Sequence, residues 1–246
     1  MTVKQHIDQL SVLIPAYQEI VNLRWLLPRV IANVPNQVAY EVVVVVERQC
    51  ANEIRKEIEA LGAVVLERSP TDSFGDAMRT GIQYCVARAP WVLVLDADGS
   101  HDPASIPILL SVANETDADI TIASRYVSGG SSDNSFALYW MSRLLNFGYS
   151  LVLGLKVKDV STNFKLYRAS MLDVTKLQCA NFDIVEEILA RAIKLRPQLK
   201  VVEVPDHFFE RKAGESKRKL GPFIASYLLT LYRLRRGQDL KSPGTS

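Results

Sequence analysis

The sequence predicts an α/β protein, a mainly parallel sheet flanked by helices. Three observations point there. Six short runs rich in β-branched residues, at positions 10–14, 41–46, 63–66, 91–95, 120–123 and 201–204, are mostly apolar throughout rather than alternating. Strands covered on both faces have that character. Amphipathic stretches at 19–34, 52–61, 75–88 and 103–114 lie between these runs, and strands alternating with helices imply parallel pairing. A chain of 246 residues, 48% of them hydrophobic, can bury a core of that size.

Taken in order, the opening MTVKQHIDQL is polar and lacks the apolar centre of a secretory leader. The run at 10–14 leads into Pro15-Ala16-Tyr17-Gln18-Glu19 and the first helix. The second run contains five consecutive valines and ends at Glu47-Arg48-Gln49. The run at 91–95 passes directly into Asp96-Ala97-Asp98-Gly99-Ser100. Asp102-Pro103 then reads as a helix cap followed by a first-turn proline. The run at 120–123 ends at Ser124-Arg125-Tyr126. The glycine-rich stretch 128–132 reads as a mobile loop that could close over a site. Residues 136–154 are strongly apolar, broken by Ser142, Arg143 and Asn146. Residues 222–236 form an amphipathic helix with Phe223, Ile224, Tyr227, Leu228 and Leu231 in front and Arg233, Arg235 and Arg236 at its end.

Parallel sheets bind ligands beyond the carboxyl ends of their strands, so the polar junctions after these runs are the candidate site. Asp96 and Asp98, two apart on extended chain, point the same way. Two such carboxylates repel unless a cation lies between them. Hard divalent ions such as Mg²⁺ or Mn²⁺ take oxygen ligands and bridge to phosphates. Ordinary turn or capping acids are the alternative reading of the same residues. A formal charge of +2, from 29 basic and 27 acidic residues, gives no argument for nucleic acid. Cys50, Cys85 and Cys179 are odd in number and widely spaced, which disfavours a disulfide framework or a zinc site and predicts reduced thiols in a cytoplasmic setting.

Five segments together resemble the inverting family 2 glycosyltransferases, and among them the dolichol-phosphate mannose synthase group with its bacterial polyprenyl-phosphate relatives. They are Val12-Leu13-Ile14-Pro15-Ala16-Tyr17-Gln18-Glu19; Asp96-Ala97-Asp98-Gly99-Ser100-His101-Asp102-Pro103; Ala123-Ser124-Arg125-Tyr126; Ser142-Arg143 with Asn146 and the stretch 159–168; and Glu203-Val204-Pro205 followed by Arg211, Gly214-Glu215-Ser216-Lys217. The resemblance runs from about residue 11 to 234. It implies the GT-A fold, a Rossmann-like sheet with helices and a C-terminal amphipathic helix. On that pattern residues 1–239 form one catalytic domain. Its nucleotide-sugar half is 1–125, its acceptor half 126–220 and its amphipathic helix 221–237, with 240–246 a disordered tail.

The resemblance also implies roles. Pro15, Tyr17 and Glu19 line the nucleoside pocket. Asp96 and Asp98 hold Mg²⁺ or Mn²⁺ and the diphosphate, with Ala97 between them and Ser100 a further ligand. Arg125 meets the phosphate or sugar, and Arg211 and Lys217 clamp phosphates. Arginine's planar fork and lysine's point charge suit phosphate oxygens. Arg211, Lys217, Arg218 and Lys219 taken alone would read as a solvated basic surface. Asp98, Arg125, Arg143 and Arg211 are the catalytic candidates. The chain departs from the pattern after the second strand, where the family's acid pair is replaced by Val46 and Glu47. Valine cannot accept a hydrogen bond. Glu47 is the acid that remains at this cofactor-binding junction, on the side opposite Val46. Asn163 stands where the family has glycine.

The implied reaction moves a hexose, mannose or glucose, from a GDP- or UDP-hexose to a polyprenyl phosphate with inversion. A phosphate acceptor is already an anion and needs no strong base. A saccharide hydroxyl would need a carboxylate, for which Asp159, Glu186 and Glu187 are candidates; the last two also read as helix-surface acids. Transfer to a saccharide or small molecule, and a nucleotide-sugar-binding scaffold with altered catalysis, stay open as alternatives. Charge near the middle of 136–154 argues against a membrane span, since a central arginine costs about 2.5–3.5 kcal/mol on insertion scales. A buried core helix stays open as an alternative, and an interfacial helix that partly enters the bilayer surface is the reading adopted. Residues 210–236 carry eight basic and two acidic side chains, which favours an anionic lipid surface or a membrane-anchored partner and a peripheral place at the cytoplasmic membrane face.

Overall fold

The computed structural model describes residues 6–196, 198–211 and 220–236. All six apolar runs are strands: β1 (Gln9–Pro15), β2 (Ala39–Val46), β3 (Ala63–Glu67), β4 (Trp91–Val94), β5 (Ile120–Ser124) and β8 (Val201–Pro205). The four amphipathic stretches are helices α1 (Ile20–Asn33), α2 (Asn52–Ala60), α3 (Phe74–Val86) and α4 (Ile106–Thr116), the last entered through a short 3-10 turn that Asp102 caps. The chain continues with β6 (Ser131–Ser132), α5 (Phe136–Leu153), β7 (Lys165–Arg168), α6 (Ile184–Leu195), β9 (His207–Phe208) and α7 (Leu220–Arg235).

The main sheet has seven strands in the order β3-β2-β1-β4-β7-β5-β8. Only β7 runs against its neighbours, so the other six present their carboxyl ends along one edge. Strand β7 escapes the sequence pattern because it is four residues long and begins and ends on a charge. Its Lys165 is nonetheless fully buried. Successive strand residues feed opposite layers, as the pleat requires. Val12 and Ile14 pack with α1, α2 and α4, whereas Leu13 packs with α3 and α6.

Three expectations need correction. The stretch 128–132 is not an open loop. Ser131–Ser132 pairs in parallel with His207–Phe208, and a Cβ on Gly130 would lie 2.4 Å from the Ser124 carbonyl oxygen, so the segment lies flat against the end of β5. Glu186 and Glu187 are not surface acids, because α6 turns its acidic first turn inward and both are 2% exposed. Helix α7 does not present its apolar residues on one front. Tyr227 and Leu234 pack inward beside Thr230, while Leu228, Leu229 and Tyr232 are exposed. The side chains of Phe223 and Ile224, and the predicted tail 240–246, lie outside the described residues.

Helix α5 is inverted relative to an ordinary surface helix. Its inward face carries Asn146 and Tyr149, whereas Phe136, Trp140, Leu144, Phe147 and Leu151 are exposed. Their spacing of three and four residues puts them on one face. Among the described residues no helix is long and apolar enough to cross a membrane.

Candidate active site

The acidic turn follows β4 at the carboxyl edge of the sheet. Gly99 takes φ +74°, a conformation glycine adopts without strain, and this turns the chain sharply after Asp98. Asp98 Oδ1 accepts from the Ser100 backbone N–H at 3.0 Å and the Ser100 hydroxyl at 2.6 Å. Asp98 Oδ2 faces Arg211 Nη2 at 3.1 Å. Asp96 Oδ1 accepts from Asn163 Nδ2 at 3.0 Å. Ala97 between them is buried.

The end of β1 forms the opposite wall. Ala16 donates its N–H to Val45 O at 2.9 Å, which carries the chain past Pro15 beside β2. Gln18 has φ +55°, and its N–H reaches Glu47 Oε2 at 3.1 Å. Glu19 is held by Asn22, 2.6 Å away, and meets Arg211 Nη1 at 2.8 Å. Val46 belongs to the core and offers only its carbonyl to this edge. That carbonyl accepts from Arg68 Nε at 3.2 Å. Buried Arg68 also donates to Ala16 O and to Asp72 O, so one guanidinium joins the ends of three strand connections. Burial lowers its pKa, opposed by the nearby Asp72 and Glu47 charges. Tyr17 lies over this guanidinium, with the Arg68 carbon 5.2 Å from the ring centroid.

The end of β5 is built on a buried polar network. Arg125 donates from Nε and Nη2 to the two oxygens of Asp159 at 2.8 and 2.7 Å, and Nη2 also reaches Ser161 at 2.8 Å. Burial alone would push the Asp159 carboxyl up; the charge and hydrogen bonds of Arg125 overcome this and hold it below its ordinary value. Arg125 was expected to meet a phosphate. It is 7% exposed and committed to Asp159, because a carboxylate with no solvent access stays ionised only with such a partner. Ser100 is buried and donates to Asp98, which supports that carboxylate. Arg143 is exposed on α5, 3.3 Å from the Tyr139 hydroxyl and 5.3 Å from the Trp140 ring. Lys217 lies outside the described residues.

The three candidate bases are not offered to a substrate. Asp159 is bound as described. Glu187 is 2% exposed, accepts from the backbone N–H groups of Gln178 and Cys179 at 2.9 and 2.8 Å, and pairs with Arg191 at 2.9 Å. Glu186 is equally buried.

The donor set suits a divalent cation completed by substrate. Among the described residues no three His, Cys, Asp or Glu side chains gather as a self-sufficient metal site. Two carboxylates on one turn are what Mg²⁺ or Mn²⁺ uses when phosphates and water supply the other ligands. A positive charge already stands against this turn, since the Arg211 guanidinium bridges Asp98 and Glu19.

Sequence reasoning missed the groups that hold these residues in place. His101 Nδ1 lies 3.1 Å from Asp206 Oδ2, Ser105 donates to the other Asp206 oxygen at 2.7 Å, and Phe209 N donates to Ser100 O at 2.8 Å. These contacts dock the segment that ends at Arg211 onto the acidic turn. His101 stood inside a quoted motif, which was the available signal; Asp206 stood one residue beyond another. Lys165, fully buried, donates to the carbonyls of Val160 and Thr162, and burial pushes its ammonium down to about 8 against the charges of Asp159 and Glu186.

The family model described as glycosyl transferase family 2 matches residues 11–175. The chain is 34% identical over 167 residues to an undecaprenyl-phosphate mannosyltransferase of Micrococcus luteus, covering 64% of this chain and 65% of that one. It is 33% identical over 237 residues to a dolichol-phosphate mannosyltransferase of Pyrococcus furiosus, covering 93% and 64%. The match therefore spans just under two thirds of these relatives' lengths. In fold it resembles glucosyl-3-phosphoglycerate synthase of Mycobacterium tuberculosis, solved with Mn²⁺, UDP and glucosyl-3-phosphoglycerate, at TM-score 0.70 and 16% identity over 93% of this chain and 80% of that one. That likeness is one of architecture, the GT-A fold.

Proposed function

This chain belongs to glycosyl transferase family 2, and on that premise we propose that it transfers a hexosyl group from a nucleoside diphosphate sugar to a polyprenyl phosphate. The acceptor's phosphate oxygen forms the new bond to the anomeric carbon as the bond to the nucleoside diphosphate breaks on the opposite face, inverting configuration. The observation that carries this reading is the commitment of Asp159 and Glu187 to buried partners, with Glu186 buried beside them. An acceptor that is already an anion needs no base, and positioning with charge stabilisation suffices. The mannosyltransferase relatives named above act on acceptors of this kind.

Asp96 and Asp98 are the residues that would hold Mg²⁺ or Mn²⁺. Bound there, such an ion neutralises charge on the departing diphosphate. Tyr17, Glu19 and Glu47 line the nucleoside side, with Pro15 and Ala97 as its framework. Arg211, now paired with Glu19 and Asp98, is proposed to exchange these carboxylates for phosphate oxygens, and Lys217 is proposed to join it. Arg143 is an exposed cation proposed to serve the acceptor, and Arg125 shapes that side through Asp159 and Ser161. The outward face of α5, with exposed Arg143, Arg233, Arg235 and Arg236 on α5 and α7, suits a peripheral place on an anionic, cytoplasm-facing membrane surface where a lipid acceptor is met.

The test is incubation with Mn²⁺, labelled GDP- or UDP-hexose and a short polyprenyl phosphate. Label is expected in the organic phase as an acid-labile lipid. Label appearing only in a water-soluble glycoside, or no transfer from any common donor, would overturn the proposal.

A further inference from the structure

Asn163 is 5% exposed and donates from Nδ2 to Asp96 Oδ1 at 3.0 Å, across 67 residues of sequence. The loop that delivers it is pinned on every side. Asn146 Oδ1 accepts from the N–H groups of Val160 and Ser161 at 2.7 and 3.0 Å. Asp159 Oδ1 accepts from the Thr162 N–H at 3.2 Å. Lys165 binds the carbonyls of Val160 and Thr162 from below, and Phe164 O accepts from the Ala123 N–H at 3.0 Å. Asn163 is thus held by the scaffold before it meets Asp96.

We infer that Asn163 is a positioning residue for the cation site, orienting Asp96 so that the Asp96–Asp98 pair is preset for a divalent ion carried by a nucleoside diphosphate. The argument is one of donor chemistry. A carboxylate with one oxygen anchored loses rotational freedom about its side chain. A carboxamide anchors it without cancelling its charge, whereas lysine or arginine there would neutralise the ligand and aspartate would repel it. Groups that orient metal-binding side chains from behind typically change metal affinity by 10–100-fold when removed. This rests on the family 2 reading above, and the experiment separates the two.

Mn²⁺ binding is measured by electron paramagnetic resonance with GDP or UDP present and no acceptor, so that no turnover occurs. Wild type is compared with N163A and N163D, and melting temperature is followed in parallel. The expectation is about tenfold weaker Mn²⁺ binding in N163A, with the loss in turnover assays falling on the metal requirement rather than on acceptor KM. N163D keeps the side chain's shape should N163A fold poorly, and it too is expected to bind Mn²⁺ more weakly. Wild-type affinity in either folded variant overturns the inference alone. Tighter binding in N163D also overturns it, since position 163 would then be a ligand position rather than an orienting donor. Wild type that binds no Mn²⁺ with either nucleotide overturns both the inference and the reading on which it rests.

Discussion

Arg125 and Asp159 form a two-pronged pair in which the carboxylate is fully buried and also accepts the Arg125 backbone N–H at 3.0 Å. The pair ties the end of β5 to the loop that carries Ser161 and Asn163. Removing one partner leaves the other as an uncompensated buried charge, typically at a cost of about 3–5 kcal/mol. Asp159→Asn should therefore lower unfolding free energy by about that amount at pH 7, measured by urea denaturation.

The pH dependence follows from the direction of the Asp159 shift. Its folded pKa lies below the unfolded value of about 3.9, so the folded state binds fewer protons. The stability it contributes is fully present above that pH and is lost as pH falls through the folded value. The gap between wild type and Asp159→Asn should be constant from pH 6 to 7 and narrow below about pH 4. A gap that widens on acidification would contradict this origin.

Arg211 Nη2 lies 3.1 Å from Asp98 Oδ2, so a cation bound at Asp98 as proposed would have to displace it. In Arg211→Ala the acidic turn and Glu19 lose their internal positive charge. Without nucleotide, Mn²⁺ should bind this variant at least as tightly as wild type. With a nucleotide sugar, kcat/KM should fall by about two orders of magnitude, as expected on losing a charge-stabilising group. Weaker Mn²⁺ binding in both conditions would show that Arg211 supports the site rather than occupying it.

Leu144 and Phe147 on the outer face of α5 are 69% and 62% exposed. Changing both to glutamate should leave stability within about 0.5 kcal/mol per site, as is usual for surface substitutions. Co-sedimentation with vesicles containing anionic lipid should be lost. Unchanged sedimentation would remove α5 from the membrane contact.

His101 is 1% exposed between the rings of Phe164 and Phe208 and touches Asp206. His101→Phe keeps the aromatic packing and removes the polar partner, so Asp206 is left with Ser105 alone among the contacts described above. A loss of about 1–3 kcal/mol is expected, the typical cost of an unpaired buried group. KM for the donor should rise with it, because Asp206 anchors the segment leading to Arg211.

How much of this was legible in sequence depended on the kind of signal. Uninterrupted apolar runs such as 42–46 announced the strands, and the acids directly after the run at 91–95 located the cleft edge. Strand β7 and helix α6 were not legible. Lys165 and Arg168 bracket the one, and Glu186 and Glu187 open the other, so both look solvated until burial is known. The inverted face of α5 was visible only as hydrophobicity, with no indication of which side was turned outward.

By itself the sequence determined the α/β alternation, the edge at which polar junctions gather and the two-carboxylate turn, because these follow from local hydrophobic pattern and from residue types adjacent in the chain. Tertiary structure alone decided what each charge does. Arg125 meets Asp159 across 34 residues, Asn163 meets Asp96 across 67, His101 meets Asp206 across 105 and Arg211 meets Glu19 across 192. A buried ionised or polar group must find its partner wherever the topology brings one, and that choice is made by desolvation in the folded state rather than by spacing along the chain.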